Sequence, residues 1–240
     1  MKKFIGFLVG GLILILMIVG SINIIQHQGN KPSSNSNFDR NHIMSLVEAI
    51  DFTAYNPETI IPADQNSGNL PEKIKGDQDA PIMIFEYADY ACSHCAEANT
   101  LLDKIIKDYN GKVALVFRGY ILNGFPNNIE AAAATNAAAI QGYWDQYKNA
   151  VFEDQTTWYY LDSDEVVAYF GELFSEVSDG KGDLEKFYAD MKSDAVAQKI
   201  AFDYGLGKKV ELSGTPHFRI NGEAVTSSEL RDKIDELLAE

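Results

Sequence analysis

The sequence predicts an α/β domain that carries an all-helical insertion and follows an N-terminal transmembrane signal anchor. Three observations predict it. Strand, helix and strand patterns succeed one another between Pro81 and Phe117. The chain closes with strand, turn, strand and helix from Phe218 onward. Between these halves, residues 127–205 show no convincing strand pattern.

Composition sets the frame for these elements. With 46% hydrophobic and 23% charged residues over 240 positions, the chain suits one globular domain plus appendages, with a core that needs no disulfide staples. Thirty-five acidic residues against twenty basic ones leave a net charge of −15, which repels phosphate backbones and excludes nucleic acid as a partner.

The chain opens MKKFIGFLVGGLILILMIVGSINIIQ, two lysines ahead of an uncharged run from Phe4 to about Ile25. That run matches the roughly twenty residues a helix needs to cross a bilayer. It has no small-x-small cleavage pattern, so residues 1–26 read as an uncleaved anchor rather than a removed signal peptide. Lys2 and Lys3 stay cytoplasmic on this reading, and the body lies on the extracytoplasmic side of the cell membrane. No cysteine lies near it, which excludes a lipoprotein anchor. Residues 27–70 read as a flexible tether rich in Asn, Ser and Gln, with a possible short helix over His42 to Ile50. The domain proper is expected over 71–240.

Ile82, Met83, Ile84 and Phe85 form a short continuous apolar run, the mark of a strand buried on both faces. Ala98, Leu101, Leu102, Ile105 and Tyr109 then recur at helical spacing, and Asn110-Gly111 supplies a stop. Val113 to Phe117 is the second strand, so this is a βαβ unit. Within the insertion, the alanine-rich Ile129 to Ile140 is a strong helix former and reads as an ordinary packed helix. Further helical segments follow, broken at Asp179-Gly180 and Gly182. At the end, Phe218 to Ile220, the Asn221-Gly222 turn and Ala224-Val225 make a hairpin. Thr226 with Glu229 has the capping-box pattern, and Leu230, Ile234, Leu237 and Leu238 give the last helix one apolar face.

Cys92 and Cys95 are the chain's full complement of cysteine, and the βαβ unit places them at a helix N-terminus. Closing so small a ring contributes only about 2 kcal/mol before strain, which makes the pair a poor staple. It makes a good redox couple, because free N–H groups and the positive helix end stabilise a thiolate on the first cysteine. A stabilised thiolate favours the reduced form and renders the disulfide a stronger oxidant. On this reading Cys92 is the reacting sulfur, Cys95 resolves the mixed disulfide, and Ser93 and His94 tune the potential. The competing readings are half of a zinc site, an inert disulfide, and a merely solvated His94. Zinc lacks ligands: the other histidines are His27, His42 and His217, two of them in the tether.

The stretch F-E-Y-A-D-Y-A-C-S-H-C, preceded by G-D-Q-D-A-P from Gly76, resembles the DsbA-like group of thioredoxin-fold proteins, the exported thiol–disulfide oxidoreductases. S-G-T-P-H-F-R-I-N-G, Ser213 to Gly222, and the helical stretch Gln141 to Gln155 are similar to further motifs of that group. The resemblance runs from Gly76 to the C-terminus and implies a thioredoxin-like fold. It also implies a cis peptide at Pro216, with the Thr215-Pro216 loop facing Cys92 and binding substrate. Glu86 occupies a place where the family has an acidic residue. If buried it would have a raised pKa and could exchange a proton with Cys95; the competing view is an edge-exposed carboxylate. Three features depart from the family: Ser93 stands where proline is commoner, His217 follows the proline, and FRGYILNGFPNN, residues 117–128, replaces a stretch that carries a histidine in many relatives.

The function these features imply is that of an exported, membrane-tethered thiol–disulfide oxidoreductase, most directly a dithiol oxidase acting on reduced, unfolded secreted proteins. The resemblance implies a membrane-embedded redox partner for reoxidation, and no metal or organic cofactor. The alternatives are a reductase or isomerase working through the same residues, and a non-enzymatic tethered chaperone or adaptor.

Overall fold

Alternation of apolar side chains between two buried faces makes the strands around the cysteine pair the centre of the molecule. In the computed structural model, which describes residues 40–240, β1 (Lys73–Lys75), β2 (Ile82–Ala88), β3 (Val113–Gly119), β4 (His217–Ile220) and β5 (Glu223–Val225) form one sheet in the order β1-β3-β2-β4-β5. β2 and β3 are parallel, in register from Ile82 with Val113 to Ala88 with Gly119. The other pairings are antiparallel, and Glu86 of β2 lies opposite Phe218 of β4. β2 is thus paired on both sides, which rules out an edge position for Glu86. The expected anchor over residues 1–26 lies outside the described residues. Among those described, no helix is long and apolar enough to cross a membrane.

Helix α1 (Arg40–Glu48) precedes the sheet, and α2 (Ser93–Asp108) joins β2 to β3. Asn110 and Gly111 end the α2 connection with φ values of 35° and 81°, left-handed backbone that suits these two residue types. α2 and the last helix cover one core: Leu102 and Ile105 meet Ile84, Leu115, Phe218 and Ile220, with Leu230 and Ile234 closing it. The insertion follows β3 as α3 (Asn128–Ile140), α4 (Trp144–Glu153), α5 (Gln155–Trp158), α6 (Ser163–Val177), α7 (Leu184–Met191) and α8 (Asp194–Lys209). The alanines of α3 are buried on every side, so small side chains let several helices approach it at once. The hairpin turns through Asn221 and Gly222, both at positive φ.

Helix α9 (Leu230–Ala239) starts differently from the expected capping box. The Thr226 amide and hydroxyl both donate to the Glu229 carboxylate, at 3.0 and 2.6 Å, so only half of the box is made.

The expected tether needs a larger correction. From residue 40 onward the chain is bound to the domain, because Ile43, Ile50 and Ile61 are buried in its cores. Arg118, itself fully buried on β3, donates to the Pro57 carbonyl at 2.6 Å, the Thr59 carbonyl at 2.8 Å and the Glu72 carboxylate at 2.8 Å. Three acceptors captured by one buried guanidinium fix this stretch as part of the fold.

Candidate active site

The end of β2 runs directly into the cysteine pair. Cys92 is the N-cap residue of α2, with extended backbone (φ −85°, ψ 120°), so its side chain stands where a capping oxygen normally accepts the first free amides. Both cysteines are free thiols; Cys92 is 6% exposed and Cys95 fully buried. The thiol of Cys95 donates to Cys92 and is the largest influence drawing the Cys92 pKa down to about 5, against the opposing effect of burial. The Thr215 side chain and the backbone amides of Cys95 and His94 act in the same direction. Burial, the hydrogen bond to Cys92 and the neighbouring thiolate push Cys95 far above the ordinary thiol range. The two sulfurs are thereby driven apart: one ionised at neutral pH, the other held as a proton donor.

Opposite the pair, the Thr215–Pro216 peptide is cis, and the Thr215 carbonyl accepts from the Cys92 thiol at 3.4 Å. The Thr215 hydroxyl is buried without another hydrogen-bond partner, so it is available to the thiolate. This loop and α2 bound a groove of about 750 Å³ lined by His94, Glu97, Leu101, Pro216 and His217. Burial and the Arg219 charge lower the His217 pKa, and its Nε2 has no partner. His217 therefore enters the groove neutral at neutral pH.

Ser93 and His94 are exposed on the rim. The His94 ring has 76% of its side chain exposed and lies 3.4 Å from the Glu97 carboxylate, so solvent and a counter-charge screen it; what reaches Cys92 is the His94 amide.

Glu86 is 2% exposed, and burial lifts its pKa to about 8; the Lys148 charge pulls the other way and Asp103 adds to the rise. Its Oε1 has no hydrogen-bond partner. Lys148 of α4 is fully buried, and burial lowers its pKa. It donates to Asn99 of α2, whose own amide donates to Asn149 at 3.0 Å. The buried acid acts through its charge on Cys95, and the buried amine acts in turn on that acid, an arrangement able to hold and move one proton.

Asp89 is a functional candidate that sequence reasoning missed. Its carboxylate, 1% exposed, accepts from the Ala91 amide at 2.8 Å, the Leu122 amide at 2.6 Å and the Asn128 side chain at 2.7 Å. It joins the reacting loop to the β3–α3 connection and the start of α3. Burial raises its pKa to about 6 against those three donors, and the Cys92 thiolate adds to the rise. Lys148 was missed too, although a lysine four residues from both Trp144 and Phe152 on an apolar helix face was a visible signal.

A five-stranded sheet with a C-x-x-C pair at the start of the helix after its central strand, faced by a cis-proline loop, defines a thioredoxin-fold protein with a redox-type site. The chain belongs to the thioredoxin family: the family model described as Thioredoxin matches residues 69–240. Over 158 residues it is 28% identical to "Na(+)/H(+) antiporter NhaA 1" of Mycobacterium sp. (strain KMS), a match covering 64% of this chain but only 24% of the antiporter. It is 26% identical to "Probable disulfide bond formation protein D" of Bacillus cereus, over 61% of this chain and 68% of that protein. BdbD from Bacillus subtilis shares the fold with a TM-score of 0.61 at 21% identity, over 77% of this chain and all of that one.

Proposed function

We propose that the protein is an exported, membrane-tethered thiol–disulfide oxidoreductase that works as a dithiol oxidase on reduced secreted proteins. The observation that carries this reading is the opposed ionisation of the pair, Cys92 at about 5 and Cys95 far above its ordinary range. A stabilised Cys92 thiolate favours the reduced protein and makes the disulfide oxidising. The name of the Bacillus cereus relative is in keeping with it, and the apolar run from Phe4 supplies the tether.

In the oxidised protein a substrate thiolate attacks Cys92 Sγ, and the Cys92–Cys95 bond breaks with Cys95 leaving. Glu86, protonated at neutral pH, gives the departing sulfur its proton. A second substrate thiolate attacks the substrate sulfur of the mixed disulfide and displaces the Cys92 thiolate, a good leaving group. The substrate loses two electrons and the protein gains them, to be passed to a membrane-embedded partner. Thr215 and Pro216 present the backbone edge along which substrate lies. His94 acts on the potential through the backbone amide it places at Cys92, and Ser93 tunes it from the exposed rim beside that sulfur.

Equilibration against glutathione tests the direction. A potential well above the thioredoxin value of about −270 mV agrees with the oxidase. A value at or below it overturns the oxidase in favour of a reductase.

A further inference from the structure

One side chain ties helix α1 to the reacting loop. Arg40, half-buried at the start of α1, donates from Nη1 to the Ile121 carbonyl at 3.1 Å. Its Nη2 donates to the Leu122 carbonyl at 2.7 Å and to Asn128 Oδ1 at 3.4 Å. Ile43, fully buried among the helices of the insertion, keeps α1 seated while it does so. Two of the groups that the guanidinium grips carry an N–H at their far end. The Ile121–Leu122 peptide presents the Leu122 amide, which donates to Asp89 Oδ2 at 2.6 Å. The Asn128 side chain presents Nδ2, which donates to the same oxygen at 2.7 Å. A cation at the acceptor end of an amide polarises it and strengthens the bond donated from the other end. Two such chains thus leave Arg40 and converge on one buried carboxylate oxygen. From there the reacting loop is one step away: Asp89 Oδ1 accepts from the Ala91 amide at 2.8 Å, and the Asp89 carbonyl accepts from the Cys92 amide at 3.1 Å.

We propose that Arg40 is a positioning residue for the redox pair, acting through the Ile121–Leu122 peptide and the Asn128 amide on Asp89, so that the seating of α1 is coupled to Cys92. The inference rests on the redox reading of the cysteine pair. Arg40 touches neither sulfur; its effect is to favour the ionised Asp89 carboxylate beside Cys92. The charges along the route are opposed at its two ends. At the inner end burial and the Cys92 thiolate resist ionisation of Asp89. At the outer end the Arg40 charge also favours ionisation of Glu130, in the first turn of α3, against burial. Without the guanidinium the two N–H donors weaken, and Asp89 holds its proton to higher pH. A neutral Asp89 no longer opposes the thiolate, which favours the reduced protein.

The test is Arg40→Gln in the full chain, reduced and held in dodecyl maltoside. Carboxyl ¹³C NMR against pH follows Asp89, whose signal is assigned by its loss in Asp89→Asn. In the variant Asp89 should be about three- to tenfold weaker as an acid than in the parent. At pH 6.5 the equilibrium constant with glutathione should move about twofold toward reduced protein. In an Asp89→Asn background, Arg40→Gln should leave that constant unmoved, because the route then ends on a neutral amide. Loss of stability with the Asp89 titration unchanged overturns the proposal and leaves Arg40 a structural tie. So does a shift of the glutathione equilibrium that persists in Asp89→Asn. Arg40→Lys keeps a cation but gives up the fork, and should move Asp89 the same way by about half as much on a logarithmic scale. Where Arg40→Gln does not fold, Arg40→Lys judges the proposal, and a titration like the parent's overturns it. The Asp89 titration needs no turnover, so a reducing potential would sink the oxidase reading and leave this inference open to its own test.

Discussion

Thr215 reaches across 123 residues of sequence to set its carbonyl 3.4 Å from Cys92 Sγ, and its hydroxyl is buried there with no other partner. The carbonyl serves the protonated thiol and the hydroxyl serves the thiolate, so one residue accommodates both states of the sulfur. Thr215→Val keeps the shape and removes the donor. The Cys92 pKa should rise by about 1, and the potential should fall by about 30 mV. Thiolate absorbance near 240 nm against pH, with glutathione equilibration, measures both; an unmoved pKa rejects the hydroxyl as a donor.

The low Cys92 pKa also makes the reduced fold pH-dependent. A thiol depressed from its ordinary 9.0 to about 5 stabilises the fold fully above the unfolded value and loses that contribution as pH falls toward 5. The oxidised protein has no such thiol. The reduced form should exceed the oxidised form in stability by roughly 3 kcal/mol at pH 7 from this source, equivalent to about 60 mV, and the margin should close near pH 5. Urea unfolding of both forms between pH 5 and 9 checks it; parallel pH profiles contradict it.

Glu86 has the opposite sign. Its folded pKa lies above the ordinary 4.5, so its contribution is complete below that value and is lost as pH rises through about 8. Glu86→Gln should remove the slope and leave the variant more stable above pH 8 by up to roughly 5 kcal/mol. It should also slow closure of a Cys92–glutathione mixed disulfide by Cys95 about 10²-fold, because the buried thiol loses its base. Lys148→Met should shift the stability slope to higher pH, since the Lys148 charge holds the Glu86 pKa down. Unfolding across pH, with stopped-flow release of glutathione, decides these points.

How much of this was legible depends on how local each cause is. The cysteine pair, its helix and the two strands beside it were readable because spacing within about forty residues specifies them. The terminal hairpin was readable for the same reason. The burial of Glu86 was not, since it follows from β2 pairing with β3 and with the distant β4 together. Residues 40–70 read as tether because their polar composition hides three isoleucines and two carbonyls that Arg118 captures from the sheet. Lys148 and Asp89 owe their importance to the same long-range assembly: each is one polar residue in an apolar stretch, and only the fold shows what it faces.

Asp89 offers the sharpest separation of structure from chemistry. Three N–H donors converge on a carboxylate that is 1% exposed, and an ionised carboxylate can accept all of them. In Asp89→Asn the amide oxygen can serve one side, while the new NH₂ is turned toward N–H groups and leaves at least one of them unsatisfied. That should cost about 2 kcal/mol of stability and lower the melting temperature by about 4–8 °C. A scaffolding role alone would end there. The carboxylate charge also opposes the thiolate, since the Cys92 charge raises the Asp89 pKa and the coupling is mutual. The variant should therefore show a Cys92 pKa lower than the parent's and a more oxidising disulfide, in a less stable protein. A loss of stability with the thiol pKa unchanged would confine Asp89 to holding the loop; a pKa that falls makes it the brake on the oxidising strength of the pair.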